Sequence, residues 1–201
     1  MLQASARAET RAIAAKGLTG PGYDGHAFWD TESFVLPILT YSAPELARAA
    51  LAWRHSTLDL ARERARQLGL RGAALPWRTI HGEECSGYWP AGTAAFHVNA
   101  DVADAVRRYV LATGDEDFER EIGVELLVET ARLWASLGQF DAQRRFRIDG
   151  VTGPDEYSAL VDDNVYRKQV VKQADLVLAL YARGDAFTAE QSGATSTTTS
   201  N

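Results

Sequence analysis

The chain has 201 residues, 46% hydrophobic and 24% charged, a composition typical of one globular domain with a substantial apolar core. Lys and Arg number 21 against 27 Asp and Glu, so the formal net charge is −6, which argues against nucleic acid or anionic membrane as the main partner. The single cysteine, Cys85, excludes an intrachain disulfide and favours a reducing compartment, and we expect its thiol to be buried or half-buried.

The N-terminal region is predicted to contain two short helices separated by a glycine-rich loop. Residues 2–15 have helical spacing and lack the apolar core of a signal peptide. No apolar run in the chain reaches the roughly 18 residues that span a bilayer, so we expect a cytoplasmic protein without a membrane partner. The loop over residues 20–26 lacks the preceding strand and following helix that a phosphate-binding loop requires. A short apolar helix is predicted over residues 31–40.

Capping signals predict a longer helix next. Ser42 is the predicted N-cap, Pro44 lies in the first turn, and apolar residues at helical spacing continue on one face to Leu60. Gly69 is a natural helix end. Residues 70–91 show no sustained period, and a connection of this length often carries function.

The second half of the chain is predicted to be helical as well. A helix from about residue 93 to 113 turns small apolar residues inward and ends at Gly114. Asp115 or Asp117 starts the next helix, whose apolar face extends to Gly138.

Three further segments complete the prediction. Residues 145–149 alternate like a short strand, and residues 170–181 form a last amphipathic helix. The tail 192–201, almost all Ser, Thr, Gly, Ala and Asn, is predicted to be disordered because it cannot bury enough apolar surface. Long helices joined by long loops predict a mainly α domain.

Between the strand and the last helix lies the sequence Gly150-Val151-Thr152-Gly153-Pro154-Asp155-Glu156-Tyr157. The Gly-Pro pair interrupts helix and places both carboxylates on a turn. A lone Pro-Asp-Glu is typical of a solvated turn. The whole octapeptide, however, resembles the Val-Thr-Gly-Pro-Asp-Glu-Tyr signature of glycoside hydrolase family 65, which includes the maltose, trehalose and kojibiose phosphorylases. In that family the glutamate of the motif is the general acid, so the resemblance assigns this role to Glu156.

A second motif, Gly25-His26-Ala27-Phe28-Trp29-Asp30-Thr31-Glu32, resembles the family segment whose Trp-Asp pair contacts the transferred glucosyl unit. Spacing alone favours a structural tryptophan and a solvated aspartate. An aromatic face beside a carboxylate also suits a pyranose and its hydroxyls. With the resemblance, Trp29 and Asp30 are candidate substrate-binding residues.

Three other segments resemble the family. Lys172-Gln173-Ala174-Asp175 is similar to a segment whose Lys-Gln pair reaches the substrate, although the pattern alone fits an exposed helix surface. This makes Lys172 and Gln173 candidate substrate-binding residues. The loop over residues 77–89 resembles the loop at the mouth of the family's barrel, and residues 97–101 resemble the helix start that follows it. The four histidines lack metal-ligand spacing with cysteines or carboxylates, so no metal is predicted.

The resemblance implies a fold and a reaction. The fold is an (α/α)6 barrel, in which inner and outer helices form a toroid and loops at one mouth hold the sugar. The reaction is inverting phosphorolysis of an α-glucosyl disaccharide of the maltose, trehalose or kojibiose type, which yields β-glucose 1-phosphate and glucose. Inorganic phosphate is the nucleophile and co-substrate, so no cofactor is needed, one carboxyl group suffices, and Asp155 shapes the turn. Family members often dimerise, which makes a homodimer a candidate assembly.

The resemblance extends over residues 2–191 and covers only part of the family's architecture. We therefore expect residues 1–191 to form an incomplete barrel domain, followed by the tail. The family's N-terminal β-sandwich is expected to be absent, as is a helix pair before Lys172, and the tail stands where the resemblance places phosphate-binding serines. Two alternatives stay open: a hydrolase of the acid-trehalase type, which needs a second carboxylate as base, and an inactive remnant or sugar-binding helical fragment.

Overall fold

The computed structural model describes residues 11–17, 22–87, 89–155 and 160–162, and most of these residues are helical. The helices are α1 (Leu36–Ser42), α2 (Pro44–Ser56), α3 (Leu58–Gln67), α4 (Trp89–Ala94), α5 (His97–Thr113), α6 (Glu116–Phe118) and α7 (Val124–Leu137). Two π-helical turns, Thr31–Val35 and Glu119–Gly123, lead into α1 and α7, and a 3-10 turn spans Tyr23–Gly25. The predicted mainly α class is confirmed.

The described strands form two antiparallel pairs of two residues each. They are β1 (Ala27–Phe28) with β2 (Arg78–Thr79), and β3 (Gln139–Phe140) with β4 (Phe146–Arg147). The second pair confirms a short strand within the predicted range 145–149. The first pair joins segments far apart in sequence, and it ties the glycine-rich loop to the long loop 70–91.

Helix α5 lies at the centre of the core, where it contacts α1, α2 and α7. The apolar face predicted for this segment is buried, as shown by Ala95, Val98, Val102, Val106 and Tyr109. Leucines of α1, α2 and α7 complete this main cluster, and a smaller one surrounds Leu133 and Trp134 of α7. The predicted face is therefore confirmed, although α5 begins at His97 because residues 89–94 form the separate helix α4.

The predicted ends of the later helices are confirmed. Gly114 follows α5 with a left-handed φ of 66°, and its amide donates to the Val110 carbonyl at 2.8 Å. Asp115 is the N-cap of α6, because its carboxylate accepts a hydrogen bond from the Phe118 amide at 3.0 Å. These signals are local, which is why the sequence alone can specify them.

Two predictions about helix starts are wrong within the described residues. Residues 11–15 are not helical, and residues 2–10 of the predicted helix lie outside the described residues. Ser42 is the last residue of α1 and does not cap α2, because its hydroxyl donates to the Ile38 carbonyl at 2.8 Å. Ala43 occupies the N-cap position of α2.

The predicted continuous helix up to Gly69 is interrupted at Thr57. The Thr57 hydroxyl donates to the Arg54 carbonyl at 3.0 Å, and its backbone φ and ψ of −100° and 8° leave the helical range. This break divides the segment into α2 and α3 and changes the helical phase. Leu60, predicted on the apolar face, is therefore 41% exposed.

The C-terminal predictions, the helix 170–181 and the tail 192–201, lie outside the described residues. Across the part of the chain that the structure describes, no helix combines the length and the apolar content needed to cross a bilayer. Two described segments are relevant to the candidate site: the turn after β1 and the loop that carries β2.

Candidate active site

Trp29 and Asp30, the predicted sugar-binding pair, lie on the turn between β1 and the π-helical turn before α1. The Trp29 carbonyl accepts hydrogen bonds from the amides of Glu32 at 3.1 Å and Ser33 at 3.2 Å, which close the turn. Asp30 is exposed and occupies the N-cap position, where the partial positive charge of a helix end favours a carboxylate. The Asp30 side chain is therefore open to solvent, one residue after Trp29.

The Trp29 indole is half-buried and contacts two other rings. Its centroid lies 5.1 Å from that of His97, at an interplanar angle of 89°, and 5.5 Å from that of Phe34, at 61°. Such edge-to-face contacts are favourable for aromatic rings. The indole also packs against the main apolar core, which restrains it while part of it remains accessible. An aromatic surface suits the apolar face of a pyranose, and a carboxylate suits its hydroxyls.

His97, the ring against which Trp29 packs, is anchored by a buried carboxylate. Its Nδ1 lies 3.0 Å from Asp101 Oδ2 one turn along α5, and the two side chains are 3% and 5% exposed. A carboxylate at this nitrogen fixes the orientation of the imidazole. No role is predicted for this pair from the sequence, although its i, i+4 spacing is typical of side chains that interact along a helix.

Glu32 forms a buried ion pair with Arg54 of α2. Arg54 Nε donates to Glu32 Oε1 at 2.7 Å, and Nη2 donates to Oε2 at 3.1 Å. The two side chains are 1% and 2% exposed. Both carboxylate oxygens are thus engaged and shielded from solvent, so Glu32 cannot itself bind the sugar or activate water. No sequence signal joins these residues, because the contact spans two separate helical segments.

The mouth loop 77–89 is held in one conformation by Glu84. The Glu84 carboxylate accepts hydrogen bonds from the backbone amides of Trp77 at 2.7 Å and Ser86 at 2.9 Å, so it bridges the two ends of the loop segment. The edge-to-face contact of Trp77 with Phe28 of β1, at 5.0 Å, connects this segment to the strand that precedes Trp29. A carboxylate can accept several hydrogen bonds at once, so Glu84 holds these backbone amides in place.

Arg64 of α3 holds Glu84 from the other side. Its Nη2 lies 3.3 Å from Glu84 Oε2 and 2.6 Å from the Gly92 carbonyl, and its Nη1 donates to the Leu75 carbonyl at 2.7 Å. Burial lowers the pKa of the Arg64 guanidinium, while the charge of Glu84 acts in the opposite direction. The segment that shows no sustained period in the sequence is therefore ordered by hydrogen bonds to Arg64 and Glu84. Neither role is predicted from the sequence.

Cys85 is exposed, which corrects the expectation of a buried or half-buried thiol. Its amide donates to the Arg78 carbonyl at 2.8 Å, and its thiol lies 3.4 Å from the Glu83 carbonyl. The neighbouring Glu84, rather than Cys85, turns inward because its carboxylate serves the buried backbone amides of the loop.

The segment that leads into the predicted acid turn is anchored beside α4. The Thr152 amide donates to the Ala94 carbonyl at 3.0 Å, and Thr152 is buried. Val151 and Val161 exchange two antiparallel backbone hydrogen bonds at 3.2 and 3.0 Å. Asp155 is exposed on the turn. The start of this turn therefore lies against the C-terminal end of α4.

The structure describes two of the predicted site residues, Trp29 and Asp30, and keeps them adjacent. Glu156, Lys172 and Gln173 lie outside the described residues, so their roles stay predictions. Within the described ranges, no group of three or more His, Cys, Asp or Glu side chains is arranged to hold a metal ion.

Comparison with known proteins gives strong matches over most of the chain. The model of the glycosyl hydrolase family 65 central catalytic domain matches residues 1–168. An uncharacterized glycosyl hydrolase from Mycobacterium tuberculosis is 66% identical over 166 residues, which cover 83% of this chain and 21% of that protein. An α,α-trehalose phosphorylase from Thermoanaerobacter brockii is 51% identical over 174 residues, which cover 86% of this chain and 22% of that protein.

The fold agrees with these matches. A solved structure from the human microbiome, provisionally assigned as a kojibiose phosphorylase, superimposes with a TM-score of 0.80 at 35% identity, covering 87% of this chain and 23% of that one. The chain thus spans about a fifth of the length of the relatives it matches. The family match ends at residue 168, so Lys172 and Gln173 lie beyond it. The chain belongs to glycoside hydrolase family 65 and forms part of the (α/α)6-barrel catalytic domain of that family.

Proposed function

We propose that this chain belongs to an inverting phosphorylase, which cleaves an α-glucosyl disaccharide with inorganic phosphate into β-glucose 1-phosphate and glucose. Trp29 and Asp30 hold the glucosyl unit, Lys172 and Gln173 contact the same substrate, and Glu156 is the general acid. The observation that carries the proposal is the turn after β1, where consecutive residues supply a half-buried indole packed on His97 and an exposed carboxylate.

The chemistry requires one protein carboxyl group. A glycosidic oxygen is a poor leaving group until it is protonated, so a neutral acid must stand beside it. Glu156 donates its proton to this oxygen as the bond to the anomeric carbon breaks. A phosphate oxygen bonds to that carbon from the opposite face, which inverts the configuration from α to β. Phosphate is already a nucleophile and needs no catalytic base.

Two carboxylates near the turn are excluded as the base of a hydrolase of the acid-trehalase type. Inverting hydrolysis needs a second carboxylate that activates water. Glu32 is buried against Arg54, and Asp101 is buried against His97. Neither is available as a base, and we assign the exposed Asp30 to the sugar hydroxyls.

The named relatives rank the disaccharides to test. Identity is 51% with a protein named as a trehalose phosphorylase and 35% with the structure assigned to kojibiose. We therefore place α,α-trehalose first, kojibiose second, and maltose third on the family resemblance alone. A cytoplasmic location and a homodimer also stay predictions.

The test measures glucose 1-phosphate released from each disaccharide with inorganic phosphate, for the chain and for Glu156→Gln. We expect phosphate-dependent release of the β-anomer, reduced at least 100-fold in the variant, since general acids contribute about 10²–10⁴-fold. Release of glucose without any dependence on phosphate would indicate a hydrolase. Saturable glucose binding without turnover, in a chain that unfolds cooperatively, would indicate a sugar-binding fragment.

A further inference from the structure

The ion pair between Glu32 and Arg54 has no part in this chemistry, and stability does not explain it. Burying two opposite charges is costly, and apolar residues of similar volume often replace such pairs without loss of stability. Here the side chains are 1% and 2% exposed. Arg54 Nη1 is also buried and has no hydrogen-bond partner among the described residues, which adds a desolvation penalty.

The geometry of the pair connects the sugar-binding turn to α2. The Glu32 amide is bonded to the Trp29 carbonyl at 3.1 Å, so the backbone of Glu32 belongs to the turn itself. Its carboxylate is held by two nitrogens of Arg54. A two-point contact between a guanidinium and a carboxylate fixes orientation as well as distance. Arg54 lies in the last turn of α2, with its guanidinium carbon 5.3 Å from the centroid of the Trp53 ring.

Other restraints on the turn are weak. Strand β1 has only two residues, and Asp30 makes no side-chain capping bond to the helix it precedes. The Thr31 hydroxyl reaches the Ile13 carbonyl at 3.5 Å, the limit of a hydrogen bond. Ring contacts hold the indole but are tolerant of small rotations. The contact that sets the angle of the turn against the core is therefore that of Glu32 with Arg54.

We propose that Glu32 and Arg54 are positioning residues: they orient the Trp29 ring and the Asp30 carboxylate for the glucosyl unit without touching the sugar. That the bound group is a glucosyl unit rests on the proposed function, whereas the orientation of Trp29 by Glu32 and Arg54 does not. The positioning role and the sugar-binding role can therefore be contradicted separately.

The test uses a double variant, Glu32→Leu with Arg54→Met, which removes both charges and approximately keeps the volume. The chain is labelled with 5-fluorotryptophan, and Trp29→Phe identifies the Trp29 resonance in the fluorine NMR spectrum. We expect the folded double variant to show a shifted or broadened Trp29 resonance and at least a tenfold higher Kd for D-glucose. The matched control, Glu129→Leu with Arg132→Met, removes a 2.7 Å ion pair on α7 and should change neither signal.

An unchanged Trp29 resonance and an unchanged Kd in the folded double variant would overturn the positioning role. Arg54→Lys provides a second variant, since it keeps the charge and loses the two-point contact; an unchanged Trp29 resonance there would also overturn it. A perturbed Trp29 resonance in a protein whose wild-type form does not bind glucose would support the positioning role and contradict the proposed function.

Discussion

The two ends of α5 are stabilised by different kinds of interaction. At its start, polar and charged groups are inside the protein: His97 is paired with Asp101, and the Trp29 turn that contacts His97 is linked to α2 by Glu32 and Arg54. Both pairs have a defined direction, and both carry the cost of removing polar or charged groups from water.

At the other end of α5, apolar contact dominates and the charges lie near the surface. The ring of Tyr109 packs edge-on against Phe118 with centroids 4.7 Å apart. Its hydroxyl donates to Asp115 at 2.7 Å, and Arg48 approaches the same carboxylate at 3.3 Å while remaining 40% exposed.

The difference separates two tasks. Apolar burial is non-directional and contributes most of the free energy of folding. Directional polar contacts contribute little net stability but specify angles. At the end of α5 that faces the candidate site, the orientation of side chains matters, and the buried polar and charged pairs lie at this end. Three variants test this contrast, from the largest to the smallest expected change in the free energy of unfolding.

The largest effect is expected for Arg54→Met alone. This variant leaves the Glu32 carboxylate buried without a partner, which costs about 3–5 kcal/mol. Urea unfolding at neutral pH measures the loss. The double variant that also removes Glu32 is the control and should recover most of the stability. A single variant within about 1 kcal/mol of the wild type would show that water or another group compensates the charge.

Tyr109→Phe should have a smaller effect that depends on pH. Removing the hydroxyl costs about 1 kcal/mol, the net value of one hydrogen bond. Burial, reinforced by the hydrogen bond to Asp115, raises the pKa of Tyr109 to about 12 from 10.0. The stability that this shift contributes is complete below pH 10 and is lost as the pH rises toward 12.

Unfolding measured between pH 8 and 12 distinguishes the variant from the wild type. Tyr109→Phe should remove part of the alkaline loss of stability, whereas Tyr41→Phe, at a residue 74% exposed, should not. Glucose binding should stay within about twofold of the wild type. If the free energy of unfolding fell equally steeply with pH in the wild type and in Tyr109→Phe, the raised pKa of Tyr109 would be contradicted.

Asp30→Asn should have the smallest effect on stability and a large effect on the site. The side chain is exposed and makes no capping bond, so the free energy of unfolding should change by less than about 0.5 kcal/mol. Loss of the charge weakens the hydrogen bonds to the sugar, and we expect at least a tenfold rise in the Kd for glucose, measured by calorimetry. Unchanged affinity would exclude Asp30 from sugar binding.

Local signals in the sequence predict much of this fold. The buried face of α5, the left-handed Gly114 and the Asp115 cap are each specified by a few neighbouring residues. A local signal can mislead when the same side chain has another partner. Ser42 is a typical N-cap residue, but its hydroxyl donates to the Ile38 carbonyl within α1.

Contacts between distant segments could not be predicted from the sequence. The pairing of β1 with β2 and the ion pair of Glu32 with Arg54 depend on how helices are arranged, which periodicity does not encode. Charged residues in a helical pattern are expected at the surface. Arg54 and Arg64 depart from this rule because each finds a carboxylate in another segment, buried for Glu32 and half-buried for Glu84. Trp29 and Asp30 are candidates through motif resemblance, since their spacing alone favours a structural role.

The π-helical turn Thr31–Val35 makes the site sensitive to chain length. A π turn amounts to an α-helical turn with one inserted residue, and each residue rotates the chain by about 100° around the helix axis. Deleting one residue there would leave the apolar face of α1 in phase with the core. The same deletion would swing Trp29 and Asp30 away from His97 by roughly that angle. The number of residues between the site and its scaffold is thus as much a determinant of function as their identity.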